Sequence, residues 1–420
     1  MHGKLSSLAV VAAATSLVAG IPLDRRHYPG QDYLVSLGPR PYYLVHNVSE
    51  SPLKDKLVAC ENKPVGIQSW SIGHRGGGTM QIPEETVEST LAGARMGAGV
   101  LECDVSFTAD RGLVCRHDIC DLHTTTNILL KPELAAKCSI PFTPANATHP
   151  ATALCCTSDI TTAEFKSLCG KMDGFNKTAT NVEDYQHGTP AWRTELYDTC
   201  GQVLTFPEWI DLVDSIPGYR NFTPELKTPP KAVPLPFNGY TQAQYARDAM
   251  NVFVQKGIDP SRVWFQSFTP ADIYLWLNEF PAFGKQLVYL DEDGDTPDNF
   301  TVAVNRLGAL KASGVSVVAP PINYLLTVGG PNNDTIVPSS YAITAKEVGL
   351  DVIAWSFERS GPLSKVAANE DYYYASIAPI TYYDGQAYNV IDVLAQEVGI
   401  IGLFSDWSST VTYYANCFDL

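Results

Sequence analysis

The chain is poor in positive charge. Its 420 residues carry 29 lysines and arginines against 45 aspartates and glutamates, a formal charge of −16. Such a deficit argues against nucleic acid or an anionic membrane surface as the main partner, because both are bound through a basic face. A small anionic molecule stays admissible, since a cation and a few basic groups can set the field inside one site. Beyond the first twenty residues there is no long apolar run, and the final ANCFDL carries none of the hydrophobic tail that a lipid-anchor signal needs, so no stable membrane anchor is expected. No internal repeat is visible, and nothing in the sequence speaks to the oligomeric state.

What is present at the start is a charged Met1–Lys4 stretch followed by the apolar LSSLAVVAAATSLVAG. This reads as a signal peptide over residues 1–20, too short for a membrane span and followed at once by Pro22, Asp24, Arg25 and Arg26. The pair Arg25-Arg26 offers a second processing point. The expected mature protein is secreted and extracellular, and it is one charge more negative once Lys4 is gone. Six N-x-S/T sequons, at Asn47, Asn146, Asn176, Asn221, Asn299 and Asn333, agree with export, although Asn221 sits at the mouth of a predicted strand. Ten cysteines, an even number, suit a compartment where disulfides persist. Six of them lie between Cys120 and Cys200, where apolar periodicity is weak, so local disulfides are expected to staple that stretch. Cys103 and Cys115 fall inside predicted strands without an obvious partner and read as buried free thiols.

Strand and helix patterns alternate along most of the chain. Strands are predicted near 70–74, 100–106, 113–117, 222–227, 262–267, 286–291, 315–319, 351–357 and 400–405. Helical patterns occupy 85–97, 162–171, 206–215, 241–256, 270–279, 299–313, 340–349, 387–398 and 408–417. Alternation of this kind favours a mostly parallel sheet, and an eight-stranded (β/α)8 TIM barrel over residues 66–420 fits it, with an insertion at about 118–200. Residues 21–65 form a pre-barrel segment with one short helix expected from Leu53 to Cys60. Nine strands for eight places require one irregularity. It falls between Val105 and Leu113, where about seven residues leave no room for a parallel crossover and Ala109-Asp110-Arg111-Gly112 has turn chemistry. A hairpin centred between Asp110 and Arg111 would set Asp104 opposite His117.

Chemistry-bearing residues concentrate between Gly73 and Asp118, where GHRGGG, LECDV and RHD follow one another. Glu102 and Asp104 are two apart on a strand, so both carboxylates share a face while Cys103 points away. Further on, Glu225 and Lys227 are again two apart at a strand end. A histidine beside an arginine, paired carboxylates and a second histidine are what phosphodiester cleavage with a divalent cation requires. Two rival sets are weaker. Cys115, His117, Cys120 and His123 loosely match zinc spacing, which secretion disfavours, and the acidic run Asp291–Asp298 lacks the glycine position and terminal Glu of a calcium loop, so it reads as an exposed acidic loop.

Taken in order, Gly73-His74-Arg75-Gly76, Pro83-Glu84-Glu85-Thr86, Glu102-Cys103-Asp104-Val105, His117-Asp118, Glu225-Leu226-Lys227, Ser267-Phe268 and Trp355-Ser356 resemble the glycerophosphodiester phosphodiesterase family over roughly residues 66–415. The resemblance implies a metal-dependent hydrolase that converts glycerophosphodiesters such as glycerophosphocholine to glycerol 3-phosphate and an alcohol. It implies Glu102, Asp104 and Glu225 as ligands of one divalent cation, Mg²⁺ or Ca²⁺, with His74 and His117 as acid and base. Arg75 and Lys227 would meet the phosphate oxygens, and Trp355 would line the substrate cleft. Two departures stand out: PEET for the family's more usual PENT, and LHTTTN with His123 where the family often has arginine. A lipid-directed phosphodiesterase of sphingomyelinase D or phospholipase C type on the same barrel, and a non-catalytic cell-surface protein, are the alternatives. Tyrosines between residues 358 and 388 either pack a long loop or meet the substrate head group.

Overall fold

In the computed structural model the described residues are 34–197 and 199–420, so the expected leader over 1–20 and the Arg25-Arg26 pair lie outside them. The predicted strands appear as β1 (Gln68–Gly73), β2 (Ala98–Phe107), β3 (Leu113–Cys115), β4 (Asn221–Leu226), β5 (Gln266–Ser267), β6 (Val288–Leu290), β7 (Val317–Ala319), β8 (Asp351–Phe357) and β9 (Gly402–Ser405). All but β3 are parallel. Each pairs with the next one in sequence, and β1 pairs with both β2 and β9, which closes an eight-stranded barrel. The connections are therefore local crossovers, and their helices form the outer ring.

Alternation along the strands sorts the apolar residues into two layers. Ile72, Val100, Val288, Val317, Ile353 and Phe404 fill the lumen. Leu101, Cys103 and Val105 face outward and join the larger core between sheet and helices. Since β2 is buried along its whole length, its inward Glu102 and Asp104 are polar groups in a fully enclosed strand. Helices Arg40–Asn47, which the sequence did not reveal, and Pro52–Val58, the short helix expected there, pack against the final helix Ser408–Phe418. Cys60–Cys417 locks that contact.

The hairpin register differs from expectation. Val105 faces Cys115 and Phe107 faces Leu113, so the turn centres on Asp110 itself. A three-residue loop with Arg111 in the left-handed region (φ 64°) makes the connection, and an odd loop moves the pairing by one residue. Arg116 rather than His117 therefore stands across from Asp104, donating its N–H to the Asp104 carbonyl at 2.7 Å. The same register overturns the free-thiol reading: it puts Cys115 on the outward side of β2, where it is bonded to Cys103 with 5.4 Å between Cα atoms. No cysteine among the described residues is free.

Residues 116–204 form the insertion. They contain short helices, two short antiparallel ladders and a small core of their own around Leu122, Leu129, Leu134, Phe165, Leu168 and Tyr185. The helical pattern expected over 162–171 shrinks to Thr162–Phe165. Three local disulfides, Cys120–Cys156, Cys138–Cys155 and Cys169–Cys200, staple the segment as expected.

Candidate active site

The site sits at the C-terminal ends of the barrel strands. There β1 runs into a tight turn over His74–Gly76 with Arg75 (φ 51°), Gly76 (φ 103°) and Gly77 (φ 92°) all left-handed. This turn lies directly on the helix Val87–Arg95, where a Cβ at Gly93 would come within 1.9 Å of the Gly76 carbonyl. Close backbone packing thus fixes where His74 and Arg75 emerge. On the neighbouring strands Asp104 is in register with Glu225, and Glu225 with Gln266. One oxygen from each of Glu102, Asp104 and Glu225 falls within 4.8 Å of the others.

Seven of the eight residues singled out from the sequence line one cleft of about 380 Å³: His74, Arg75, Glu102, His117, Glu225, Lys227 and Trp355. Asp104 is buried behind it, 3.8 Å from Arg75 Nε and 3.6 Å from Lys227 Nζ. His117 reaches the cleft although it is outside the hairpin ladder, because β3 ends at Cys115 and the chain turns there. Arg75 makes a double contact with Glu84 (2.9 and 3.0 Å) and donates its backbone N–H to Glu102 at 2.7 Å. Lys227 lies 2.5 Å from Glu225. The rival zinc set is excluded, since Cys115 and Cys120 are both in disulfides. The acidic side chains of the run 291–298 are exposed as expected except that of Asp291, which is buried and bonded to Arg306 and Tyr341.

Charge is tightly balanced. Burial, reinforced by Asp104 and Glu225, pushes Glu102 well above the usual carboxylate range. Glu225 is pushed up to about 8, again mainly by burial, with Lys227 opposing. Burial would raise Asp104 too, but Lys227 and Arg75 hold it below its ordinary value. Glu85 of the PEET segment is buried against Asp104, and burial together with that neighbouring charge drives it well above the usual carboxylate range. Apart from the Glu85 carboxyl packed against it, neither side-chain oxygen of Asp104 has a hydrogen-bond partner among the described residues.

Several residues of the site were not singled out from the sequence. Asp406, fully buried just after β9, accepts from His74 Nδ1 at 2.5 Å. Arg193 and Arg359 contact its second oxygen, and Ser356 Oγ lies 3.2 Å from the His74 ring nitrogens. Gln266 donates to Glu102 at 2.9 Å. Asp406 had a legible signal, a carboxylate immediately after a predicted barrel strand at the end where such sites form. Arg193 had none, lying in an aperiodic stretch.

The model of the glycerophosphoryl diester phosphodiesterase family matches residues 74–406, running from the one partner of the His74–Asp406 pair to the other. The chain belongs to that family. It is accordingly a phosphoric diester hydrolase. An Arthroderma benhamiae protein named simply an extracellular protein is 47% identical over 251 residues, which is 59% of this chain and all of the relative. The glycerophosphodiester phosphodiesterase GDPD6 of Arabidopsis thaliana is 22% identical over 398 residues, 88% of this chain and 93% of the relative. A solved structure from Silicibacter pomeroyi DSS-3, named for the same diesterase activity, superposes with a TM-score of 0.51 at 17% identity, covering 86% of this chain and 98% of that one. That likeness supports the barrel of this family member.

Proposed function

We propose that the enzyme hydrolyses glycerophosphodiesters such as glycerophosphocholine to glycerol 3-phosphate and an alcohol, using one divalent cation, Mg²⁺ or Ca²⁺, held by Glu102, Asp104 and Glu225. The observation that carries this reading is the gathering of three carboxylates within 4.8 Å of one another beside a cleft lined by two histidines, with both Asp104 oxygens buried and reached only by the Glu85 carboxyl. Buried anionic oxygens left unpaired are costly, and an all-oxygen donor set suits a hard cation. Such a cation, when bound, supplies Lewis-acid polarisation of the phosphoryl group.

The chain's own residues divide the remaining work. Arg75 and Lys227, held at the cleft wall by their carboxylate partners, neutralise charge on the phosphoryl oxygens. Burial lowers His74 overall, but the Asp406 carboxylate on Nδ1 opposes that and favours its imidazolium form, a support His117 lacks, so His74 is the acid that protonates the departing alcohol oxygen. His117, set among the charges of Arg75, Lys227 and Arg359 and kept neutral by burial and by those cations, is the base that accepts the proton of the attacking water, or of a glycerol hydroxyl whose cyclic phosphate water then opens. Trp355 walls the cleft with Phe268 and Tyr373.

Secretion belongs to the same reading. Five disulfides, the likeness to a protein named extracellular, and sequons at Asn146 and Asn176 whose side chains each close a local turn onto their own Thr support it. No helix among the described residues is long and apolar enough to cross a membrane. Phosphorus NMR of the purified protein with glycerophosphocholine tests the reaction. Glycerol 3-phosphate is expected to appear, and to cease appearing with chelator and in His117→Ala. A diester that persists under every added divalent ion sinks the proposal.

A further inference from the structure

We propose that Arg193, carried by the insertion, is a positioning residue of the active site: it fixes the Asp406 carboxylate and, through it, the ring of His74. This rests on the reading above, in which His74 transfers a proton. Asp406 is fully buried, and its two oxygens have different duties. One accepts from His74 Nδ1 at 2.5 Å. The other takes Arg359 Nη1 at 3.0 Å, from the loop that follows β8, and Arg193 Nη2 from the insertion.

One arginine is enough to balance one carboxylate, so neutralisation does not account for the second. Its effect is geometric. A carboxylate gripped from two directions at one oxygen cannot rotate its other oxygen away from the imidazole, which keeps the Nδ1 proton on the Asp406 side and leaves Nε2 facing Glu102, 3.8 Å away at the cleft.

The surrounding chain holds Arg193 in place. Trp192 packs on Gly361, where an added Cβ would approach the indole within 3.1 Å, and Thr194 donates its N–H to the Met80 carbonyl at 3.0 Å. Residues 192–194 thus tie the insertion to three barrel loops, those after β1, β8 and β9. Arg193 itself is only 7% exposed. The insertion is in this way part of the machinery that sets the histidine, besides flanking the cleft.

The test uses the full-length protein and glycerophosphocholine. Arg193→Met is expected to lower kcat by about 10–100-fold with KM nearly unchanged, the size of effect seen when an orienting partner is lost. Added guanidinium should restore part of that kcat, whereas urea at the same concentration should not. Arg193→Lys, which keeps a charge but loses the fork, should fall between the two. An Arg193→Met enzyme with wild-type kcat overturns the proposal, as does a loss that guanidinium fails to restore and that Arg193→Lys shares in full. Should Arg193→Met not fold, Arg193→Lys decides: reduced kcat at unchanged KM supports the role and wild-type kcat overturns it. A wild-type protein that leaves the diester intact overturns the functional reading and this inference together, whereas an active wild type beside an unimpaired Arg193→Met overturns this inference alone.

Discussion

The barrel and the insertion are ordered by different means. Barrel strands bury both faces, one in the lumen and one under the helices, and the covalent link that spans this body, Cys60–Cys417, joins its two ends. The insertion has a small core and places three disulfides within it, at sequence separations of 36, 17 and 31. Where apolar surface is too scarce to offset the entropy of ordering the chain, cross-links that restrict the unfolded state take its place. The difference also divides the chemistry. The carboxylates, Lys227 and His74 come from barrel strands and strand ends, while the insertion begins just before His117 and returns to the site through Arg193.

The largest expected effect breaks chemistry without touching either kind of order. His74→Ala should lower kcat by about 10²–10⁴-fold, the usual share of a general acid or base. Thermal unfolding should shift less than for a core truncation, because the ring, although edge-on to Phe404 at 6.1 Å and bonded to Asp406, faces the cleft. An enzyme that keeps most of its kcat removes His74 from the acid role.

Next come the cross-links. Cys169→Ser with Cys200→Ser opens a loop of 31 residues, for which chain entropy gives about 3–4 kcal/mol of lost stability. If the insertion is a separately ordered unit, hydrogen exchange should speed up over residues 116–204 and hold steady in β1, β4 and β8. Uniform acceleration would mean that the two regions unfold as one, and the contrast between them would fail.

A third test uses pH. His123 lies in the insertion, its Nδ1 3.4 Å from the Cys155 N–H, and burial lowers it to about 4. In the unfolded chain it titrates near ~6.5. The unfolded state therefore binds the extra proton between those values, so stability is lost as pH falls from about 6.5 to about 4 and not further below. The loss is at most about 3 kcal/mol, less where water reaches the ring. Exchange at pH 4.5 should open the insertion before the barrel, and His123→Gln should abolish that difference.

Legibility in the sequence followed the same divide. Barrel strands and helices were found in their order and places, with bounds matched at 351–357 and 206–215 and the strand expected over 262–267 cut to Gln266–Ser267, because burial imposes a period that survives in the side chains. Glu102, Asp104 and Glu225 could be placed on one face by strand alternation alone. What failed was register. A single residue in the Thr108–Gly112 loop decided whether Asp104 met His117 or Arg116, and with it whether Cys103 and Cys115 shared a side. Helix-like periodicity over 162–171 gave only one turn, since local disulfides and capping leave the insertion free of any long period. Arg193 was invisible because its partner is 213 residues away and no local pattern marks it.

The smallest expected effect sharpens the role of the barrel wall itself. Trp355 is half-buried, donates Nε1–H to the Ala319 carbonyl at 2.7 Å, and meets Phe268, Tyr372 and Tyr373 with ring centroids 5.8, 6.4 and 6.0 Å away. An aromatic wall of this kind can hold a quaternary ammonium through its ring faces, at about 0.5–2 kcal/mol per contact. Trp355→Phe keeps a ring and shortens it, so its KM for glycerophosphocholine should rise by a few-fold, about 1 kcal/mol or less, with kcat unchanged. The informative comparison is with a diester whose second alcohol is uncharged. If Trp355 contacts the head group, that substrate is spared; if the indole only fills the space between β8 and the tyrosines of the following loop, both substrates suffer alike, and the choice of head group passes to Tyr373, which shares the cleft.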